Sequence, residues 1–566
     1  MSRQITSDEL NATIDRILGM GGPFEVVDKT VDGVTFKSFA GLPPSLREFF
    51  MTSLQYKDDD FIVYGDERYS FGDVWGIASK VAHGLREKTG LKKGDRVAIA
   101  MRNYPEFIFA FMGVILAGGV AVPLNAWWES AELAYGMEDC GAKLVIADPV
   151  RLARMKQWLL KTGVSAYVVR AEDIMEGVCP TFDEIWKDVE ASTPPAIDLG
   201  HEDDATIMYT SGSTGYPKGV VSTHAAVLAT VMNWGVYLMA IKGTMEAKGI
   251  DMPHQPASLL TIPLFHVTCS HSLFLMSLPS GRKLVIMDKW DVDEAYRLIE
   301  KEKITGFTGV PTMSHELVHG KNRTKYDLSS LIDISAGGAA RPADHVAEMV
   351  EAFPNSAPGI GYGLTETNAI GTLNNREDYI THPTSAGRPV RPMAEIEIRD
   401  DDGHAVPVGE VGEICIKSLA NFKAYWNRPE DTAEVLKDGW FQTGDLGRID
   451  EDGFVYIVDR KKDIIIRGGE NISCLEVEDA IYMHPAIAEA SVFALPDDRL
   501  GEIVAAAYYK KPGHKIDSSD LSRFLHGHLA SFKIPVKFFV HDEPLPKLGS
   551  AKIDRKGLRD HYRTHV

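Results

Sequence analysis

Apolar and polar positions along this chain follow two periods. In FGDVWGIASKVAHGLREK (71–88) the apolar residues recur at helical spacing, and the run RVAIAM (96–101) that follows reads as a buried strand. The uncharged stretch FIFAFMGVILAGGVAVPL (107–124) approaches the ~20 residues of a membrane span. Its Gly118-Gly119 break and Pro123 predict instead a buried helix of about 11 residues and a short buried strand. After Ala205 the alternation resumes: VVSTHAAVLATVMNWGVYLM (220–239) is expected to be a helix, RKLVIM (282–287) a strand and VDEAYRLIEKEK (292–303) a helix. The stretch around Met239 to Pro256 is expected to be a surface loop. Helices alternating with buried strands predict an α/β fold with layered parallel sheets.

From Ala394 to Ile457 the texture shifts to short runs (AEIEIRD, GEICIK, FVYIVD) parted by Gly and Asp, which predicts a small β subdomain. Past Arg460 an amphipathic helix near SCLEVEDAIYMHP, two strands and the helix SSDLSRFLHGHL predict a compact α+β domain of about 100 residues.

The chain has 566 residues, too many for one core, and 60 Lys plus Arg against 80 Asp plus Glu leave a net charge of −20. An acidic surface excludes broad nucleic-acid binding and assigns any anionic ligand to a local cluster. Five scattered cysteines, Cys140, Cys179, Cys269, Cys415 and Cys474, form no C-x-x-C pair. With no basic-then-apolar leader at the N-terminus, the expected location is the cytoplasm, and a homodimer is the default oligomer.

Four segments could carry chemistry. In YTSGSTGYPKGV (209–220), Thr210, Ser211, Gly212, Ser213, Thr214 and Gly215 offer open backbone N–H groups and hydroxyls, with Lys218 supplying an ammonium. That equipment suits a polyphosphate; the alternative is a flexible turn. It is not a P-loop, because Lys218 follows Pro217 and precedes Gly219. In GYGLTET (361–367), two glycines allow close backbone approach while Thr365 and Glu366 could hold Mg²⁺ through oxygen; a tight turn is the alternative. In WFQTGD (440–445), Asp445 could accept from ribose hydroxyls, with Arg460 fifteen residues on; the plain reading is a hairpin and a solvated charge run. The fourth, His315-Glu316-Leu317-Val318-His319, matches H-E-x-x-H, with both imidazoles on one helix face and Glu316 as general base of a zinc hydrolase. Ser314 could cap that helix, but no third ligand is identifiable from sequence.

Taken in order, YTSGSTGYPKG, PLFH, SAGGAA, GYGLTET, WFQTGD, DRKKDIIIRGGENI and PKLGSAKI resemble the motifs of the adenylate-forming superfamily of acyl-CoA synthetases, luciferases and peptide-synthetase adenylation domains. The resemblance runs from about Ser45 to Arg559. It implies that the loop from Thr210 to Gly215 and Lys218 orient the ATP β- and γ-phosphates. Gly338, Ala339 and Ala340 with Gly361, Tyr362 and Gly363 would line the adenine and acyl pocket, joined on the acyl side by His266, Val267 and Val310. Thr365 and Glu366 would serve the α-phosphate, and Glu366 with Thr210 the Mg²⁺. Asp445 and Arg460 would hold the ribose, and Lys552 would be the adenylation lysine.

The resemblance also implies a mobile small domain, 462–566, turning about Lys462 against a large domain, 1–461, and bringing Gly468 and Gly469 to a pantetheine channel. The sequence departs from the pattern at Ala551, where glycine is usual, and at Ala340, where proline is frequent. The implied activity is ATP-dependent ligation of an apolar carboxylic acid, a fatty acid first, to CoA, with CoA the favoured acceptor because the chain ends soon after Lys552. Alternatives are an aryl-acid CoA ligase, a free-standing enzyme loading a carrier protein, a luciferase, a non-catalytic binding protein and the zinc hydrolase.

Overall fold

The structure is a computed structural model, and it describes residues 5–563 except 20, 172–178, 211–216, 288, 339–340, 468–469, 498, 512 and 549–551. Two mixed sheets form the large part of the molecule. Across the first, the strands run in the order Ala424–Tyr425, Gly219–Thr223, Asp204–Tyr209, Val120–Pro123, Arg96–Ala100, Leu144–Ala147 and Ser165–Val168. Its last five are parallel and its first two antiparallel.

Across the second, the order is Arg388–Pro389, Gly371–Asn375, Ala357–Gly363, Asp333–Gly337, Gly306–Gly309, Ala257–Leu260, Lys283–Ile286, Asp60–Tyr64 and Glu67–Ser70. The six central strands from Ala357–Gly363 to Asp60–Tyr64 are parallel. The edges are antiparallel, and at one edge the reason is local: a two-residue turn with Gly65 at φ 59° joins consecutive strands, which can only pair head to tail.

The expected helix and strand between 107 and 124 are the Pro105–Leu116 helix, buried throughout except at Glu106, and the fully buried strand Val120–Pro123. Glu106 meets Arg170 Nε at 2.9 Å, so the helix enters the core with its one charge paired.

Two expectations need correction. Residues 220–223 are not helical, because the β-branched pair Val220-Val221 completes the strand Gly219–Thr223 against Asp204–Tyr209. The Thr223 hydroxyl then accepts from the Ala226 N–H at 3.2 Å and caps a helix that runs from His224 to Ala247, through the first half of the expected surface loop. Among the described residues this is the one helix long and apolar enough to cross a membrane, and its first ten residues are all buried in the core.

The β subdomain is an antiparallel sheet of Glu395–Arg399, Gly412–Lys417, Leu436–Lys437, Trp440–Ile449 and Val455–Arg460. Beyond it a five-stranded sheet built around Ile487–Asp497 and Gly501–Lys510 is packed by the helices Cys474–Tyr482, Ser518–Leu525 and Arg555–Arg563. This last unit has its own apolar core, including Ile465, Val477, Ile481, Val492, Val504 and Leu521.

Candidate active site

Five of the sequence candidates follow the carboxyl ends of four neighbouring parallel strands in the second sheet. His266 comes after Ala257–Leu260, Val310 after Gly306–Gly309, Gly338 after Asp333–Gly337, and Thr365-Glu366 after Ala357–Gly363. In open α/β sheets this is the edge at which ligands bind, because the loops there can diverge while the strands hold them rigidly.

His266 precedes the short helix Val267–Cys269, and its carbonyl accepts from the N–H groups of Cys269 and Ser270 at 3.0 and 2.9 Å. A π-helical turn, Ser270–Leu275, follows directly, an irregularity often found at functional sites. The imidazole Nε2 is buried without a hydrogen-bond partner. Desolvation, with repulsion from Lys552 added, pushes the His266 pKa from 6.5 down to about 3, so the ring is neutral at physiological pH. Val267 and Val310 are both buried. A Cβ on Gly337 would meet Thr268 Cγ2 at 3.8 Å, which sets the His266 segment against the Gly337-Gly338 turn.

Lys552 arrives from the far end of the chain. A Cβ on Gly338 would lie 3.4 Å from its Nζ, so the ammonium rests against the backbone there, where Gly338 adopts φ 79°. Lys552 is exposed, although its ammonium end lies close to protein on the Gly338 side. Desolvation there holds its pKa below the ordinary lysine value, with Arg460 adding repulsion and Asp445 opposing both.

Tyr362, Asp445 and Arg460 form a second wall. Strand register places Asp445 opposite Arg460, Arg460 Nε meets Asp445 Oδ1 at 2.8 Å, and the Tyr362 hydroxyl donates to Asp445 Oδ2 at 2.8 Å. Burial raises the Asp445 carboxyl, and Arg460 pulls it back.

Glu366 is buried in the turn Thr365–Thr367, and desolvation raises its carboxyl above the usual range. The Tyr425 hydroxyl donates to Glu366 Oε1 at 2.8 Å. The same tyrosine ring lies 4.9 Å beneath Lys218 Nζ, which pairs with Asp431 Oδ2 at 3.0 Å. The Thr210 N–H donates to the Lys218 carbonyl at 3.0 Å, so the chain leaves and re-enters the sheet at one point on either side of 211–216. Gly363 has a steric reason to be glycine, since a Cβ would stand 2.8 Å from the Ala369 backbone carbon. Gly361 is less restricted, its Cβ position lying 3.8 Å from the Thr372 oxygen.

The structure therefore brings His266, Gly338, Tyr362, Glu366, Asp445, Arg460 and Lys552 around one cleft, with Thr210 and Lys218 joined to Glu366 through Tyr425. Ser211, Gly212, Ser213, Thr214, Gly215, Ala339, Ala340, Gly468 and Gly469 lie outside the described residues. Tyr425 and Asp431 were missed by sequence reasoning. A tyrosine before Trp426 reads as a core aromatic, and only the pairing of Ala424–Tyr425 with Val220–Val221 carries it to the cleft.

Next to Lys462, Arg555 reaches back from the last helix. Its guanidinium lies 2.8 Å from Glu478, 3.2 Å from Asp463 and 3.9 Å from Asp459, so it bridges both sides of that position.

The zinc-hydrolase arrangement is not formed. The helix begins at Pro311 rather than after Ser314, whose hydroxyl instead donates to the Pro311 carbonyl at 2.9 Å. Glu316, the required base, accepts from Trp290 Nε1 at 2.5 Å and is held by the indole.

The same residues can be set beside known proteins. Residues 49–426 match the family model of the AMP-binding enzyme, and residues 476–552 that of the AMP-binding enzyme C-terminal domain. The chain is 34% identical over 548 residues to a long-chain-fatty-acid–CoA ligase of Bacillus subtilis (strain 168), covering 91% of this chain and 94% of that protein. It is 32% identical over 502 residues to a feruloyl-CoA synthase of Amycolatopsis sp, covering 88% and 95%. Among solved structures, o-succinylbenzoate CoA synthetase (MenE) from Bacillus subtilis, in complex with its acyl-adenylate intermediate OSB-AMP, superposes with a TM-score of 0.77 at 29% identity, over 92% of this chain and 98% of that one. With a family model spanning both sheets of the large part, a second model in the small unit and relatives matched over nearly their full lengths, the chain belongs to the AMP-binding enzyme family, in the acyl-CoA synthetase branch of the adenylate-forming superfamily.

Proposed function

We propose that the protein ligates an apolar carboxylic acid, a fatty acid first, to CoA through an acyl-adenylate. The observation that carries the reading is Lys552 Nζ lying against Gly338, within the electrostatic reach of His266, Asp445 and Arg460. In the first half-reaction an acid oxygen attacks the α-phosphorus of ATP and pyrophosphate leaves. In the second, the CoA thiolate attacks the acyl carbon and AMP leaves.

Both steps build negative charge on oxygen. In the first, the Lys552 ammonium set against Gly338 would stabilise that charge without reorganisation, and one such donor can contribute ~3 kcal/mol. Neutral His266, with its unpartnered Nε2, would donate or accept beside the acid's carboxylate. Asp445, held by Arg460 and Tyr362, would take the ribose hydroxyls, while the loop after Thr210 and Lys218 would take the outer phosphates. The buried carboxyl of Glu366 fits a hard divalent cation with oxygen ligands, so Mg²⁺ would be held there with help from Thr210 and would neutralise phosphate charge.

In this reading residues 1–461 form the large domain, 462–566 the small one, and rotation at Lys462 exchanges Lys552 for Gly468-Gly469 between half-reactions. Buried Val267 and Val310 beside the uncharged Gly337-Gly338 turn support an apolar acyl group. The feruloyl-CoA synthase and o-succinylbenzoate CoA synthetase relatives favour an aryl acid as the second reading. Five free cysteines, four of them buried, support a reducing, cytoplasmic setting.

The test is pyrophosphate release with ATP and Mg²⁺ across saturated short- to long-chain and aryl acids, with and without CoA. Sustained release that requires both acid and CoA supports the proposal and reveals the acid class. Release that stalls after one turnover at every CoA concentration points to a carrier-protein acceptor, and no release with any acid overturns the adenylation reading.

A further inference from the structure

The H-E-x-x-H segment keeps one feature that ligase chemistry does not use. We infer that His315, His319, His345 and Glu348 form a binding site for a divalent transition-metal ion such as Zn²⁺, separate from the nucleotide cleft.

His315 and His319 stand four residues apart on the helix Pro311–His319. His345 and Glu348 stand three apart on the helix Ala343–Ala352, which packs against it. Residues at these spacings share a helix face. The rings of His315 and His319 are 4.3 Å apart, as are those of His315 and His345. Glu348 Oε2 lies 3.0 Å from His319 Nε2 and 3.9 Å from His315 Nδ1. One ligand atom each from His315, His345 and Glu348 fall within 4.8 Å of one another. Tetrahedral zinc bonds of roughly 2.0–2.1 Å would draw such atoms closer together.

One observation points to a cation rather than a plain polar contact. The Nδ1 atoms of His315 and His345 are both buried without a hydrogen-bond partner, an arrangement that costs stability unless something fills it.

Imidazole with one carboxylate selects zinc-like ions over Mg²⁺ or Ca²⁺, so this site and the Glu366 region would not compete for one metal. His319, 3.0 Å from Glu348, would complete a closed shell of four protein ligands, and Glu316 is tied to Trp290, so the site would clamp two helices of the large domain rather than activate water.

The test uses untagged full-length protein stripped with EDTA and titrated with Zn²⁺ by calorimetry and with Co²⁺ by visible absorption. The expected result is one equivalent of Zn²⁺, a tetrahedral Co²⁺ spectrum and a higher melting temperature with Zn²⁺. The double variant His345→Gln/Glu348→Gln should bind at least roughly tenfold more weakly. Its Mg²⁺-dependent pyrophosphate release should be intact, showing that it has folded. The variant Asp402→Asn/His404→Gln removes the exposed Asp400, Asp402 and His404 group and should leave the equivalent in place. Overturning results are no stoichiometric binding to the wild type, an octahedral Co²⁺ spectrum, or an equivalent lost only in the Asp402/His404 variant. The wild-type titrations stand even if the double variant fails to fold.

Discussion

Asp445 and Arg460, fifteen residues apart in the chain, face each other across two antiparallel strands and meet at 2.8 Å, while Tyr362 takes the second carboxylate oxygen at 2.8 Å. The carboxylate is therefore aimed from two sides before any ligand arrives. A turn of the chain places it, and a strand from another sheet orients it.

Asp445→Ala removes that acceptor and leaves Arg460 and the Tyr362 hydroxyl without their partner. Hydrogen bonds to charged groups contribute about 1.5–3 kcal/mol, so the KM for ATP should rise roughly 10- to 100-fold. Tyr362→Phe keeps the carboxylate and loses one donor, so its effect should be several-fold. Steady-state pyrophosphate release against ATP concentration separates the two, and an Asp445→Ala enzyme with wild-type KM would remove Asp445 from nucleotide binding.

Lys552→Met removes the ammonium beside Gly338 without adding bulk. Adenylation, read as acid-dependent exchange of pyrophosphate into ATP, should fall by about 100-fold or more. Thioester formation from chemically prepared acyl-adenylate and CoA should stay close to wild type. Equal losses in both assays would count against a role confined to the first half-reaction.

Lys462 stands at the proposed hinge, with Arg555 bridging Asp459 on one side of it and Asp463 and Glu478 on the other. Proline fixes φ near −65° and cannot absorb a domain rotation. Lys462→Pro should therefore leave the half-reaction served by the arrangement it locks and slow the other by at least tenfold. Both half-reactions measured separately give the answer, and a uniform modest loss in each would refute the hinge.

His224 is buried at the start of the His224–Ala247 helix, where its Nδ1 accepts from the Leu46 N–H at 3.1 Å. Desolvation lowers its pKa from 6.5 to about 4, against the pull of Asp203 and Glu48. In that window the unfolded chain binds the proton more tightly than the folded one. Stability from this residue is thus complete above about pH 6.5 and is lost as pH falls towards 4, on the order of 1–3 kcal/mol. His224→Gln should show a smaller drop in urea midpoint between pH 7 and pH 5 than the wild type. An identical drop in the two proteins would assign the acid sensitivity elsewhere.

Local pattern was enough for most elements and misled at boundaries. Apolar spacing set the Pro105–Leu116 helix and the strand behind it, since a chain that buries nearly every side chain over that length has few other ways to satisfy its backbone. Residues 220–223 read as helix because their apolar content suits either state, and it was pairing with Asp204–Tyr209 that made them a strand. Within the cleft, the glycine-rich and acidic segments stood out because backbone freedom and charge are visible one residue at a time.

What the sequence determined alone was therefore the α/β layering, the acidic surface, the family and the segments proposed to hold phosphate. Tertiary structure decided which of them meet. It set Lys552 against Gly338, placed Tyr425 between Lys218 and Glu366, tied Glu316 to Trp290, and brought His345 and Glu348 to the two histidines of the H-E-x-x-H segment. Each of these contacts joins residues from different elements, and no local spacing encodes them; they follow from strand order and from how helices pack across the sheets.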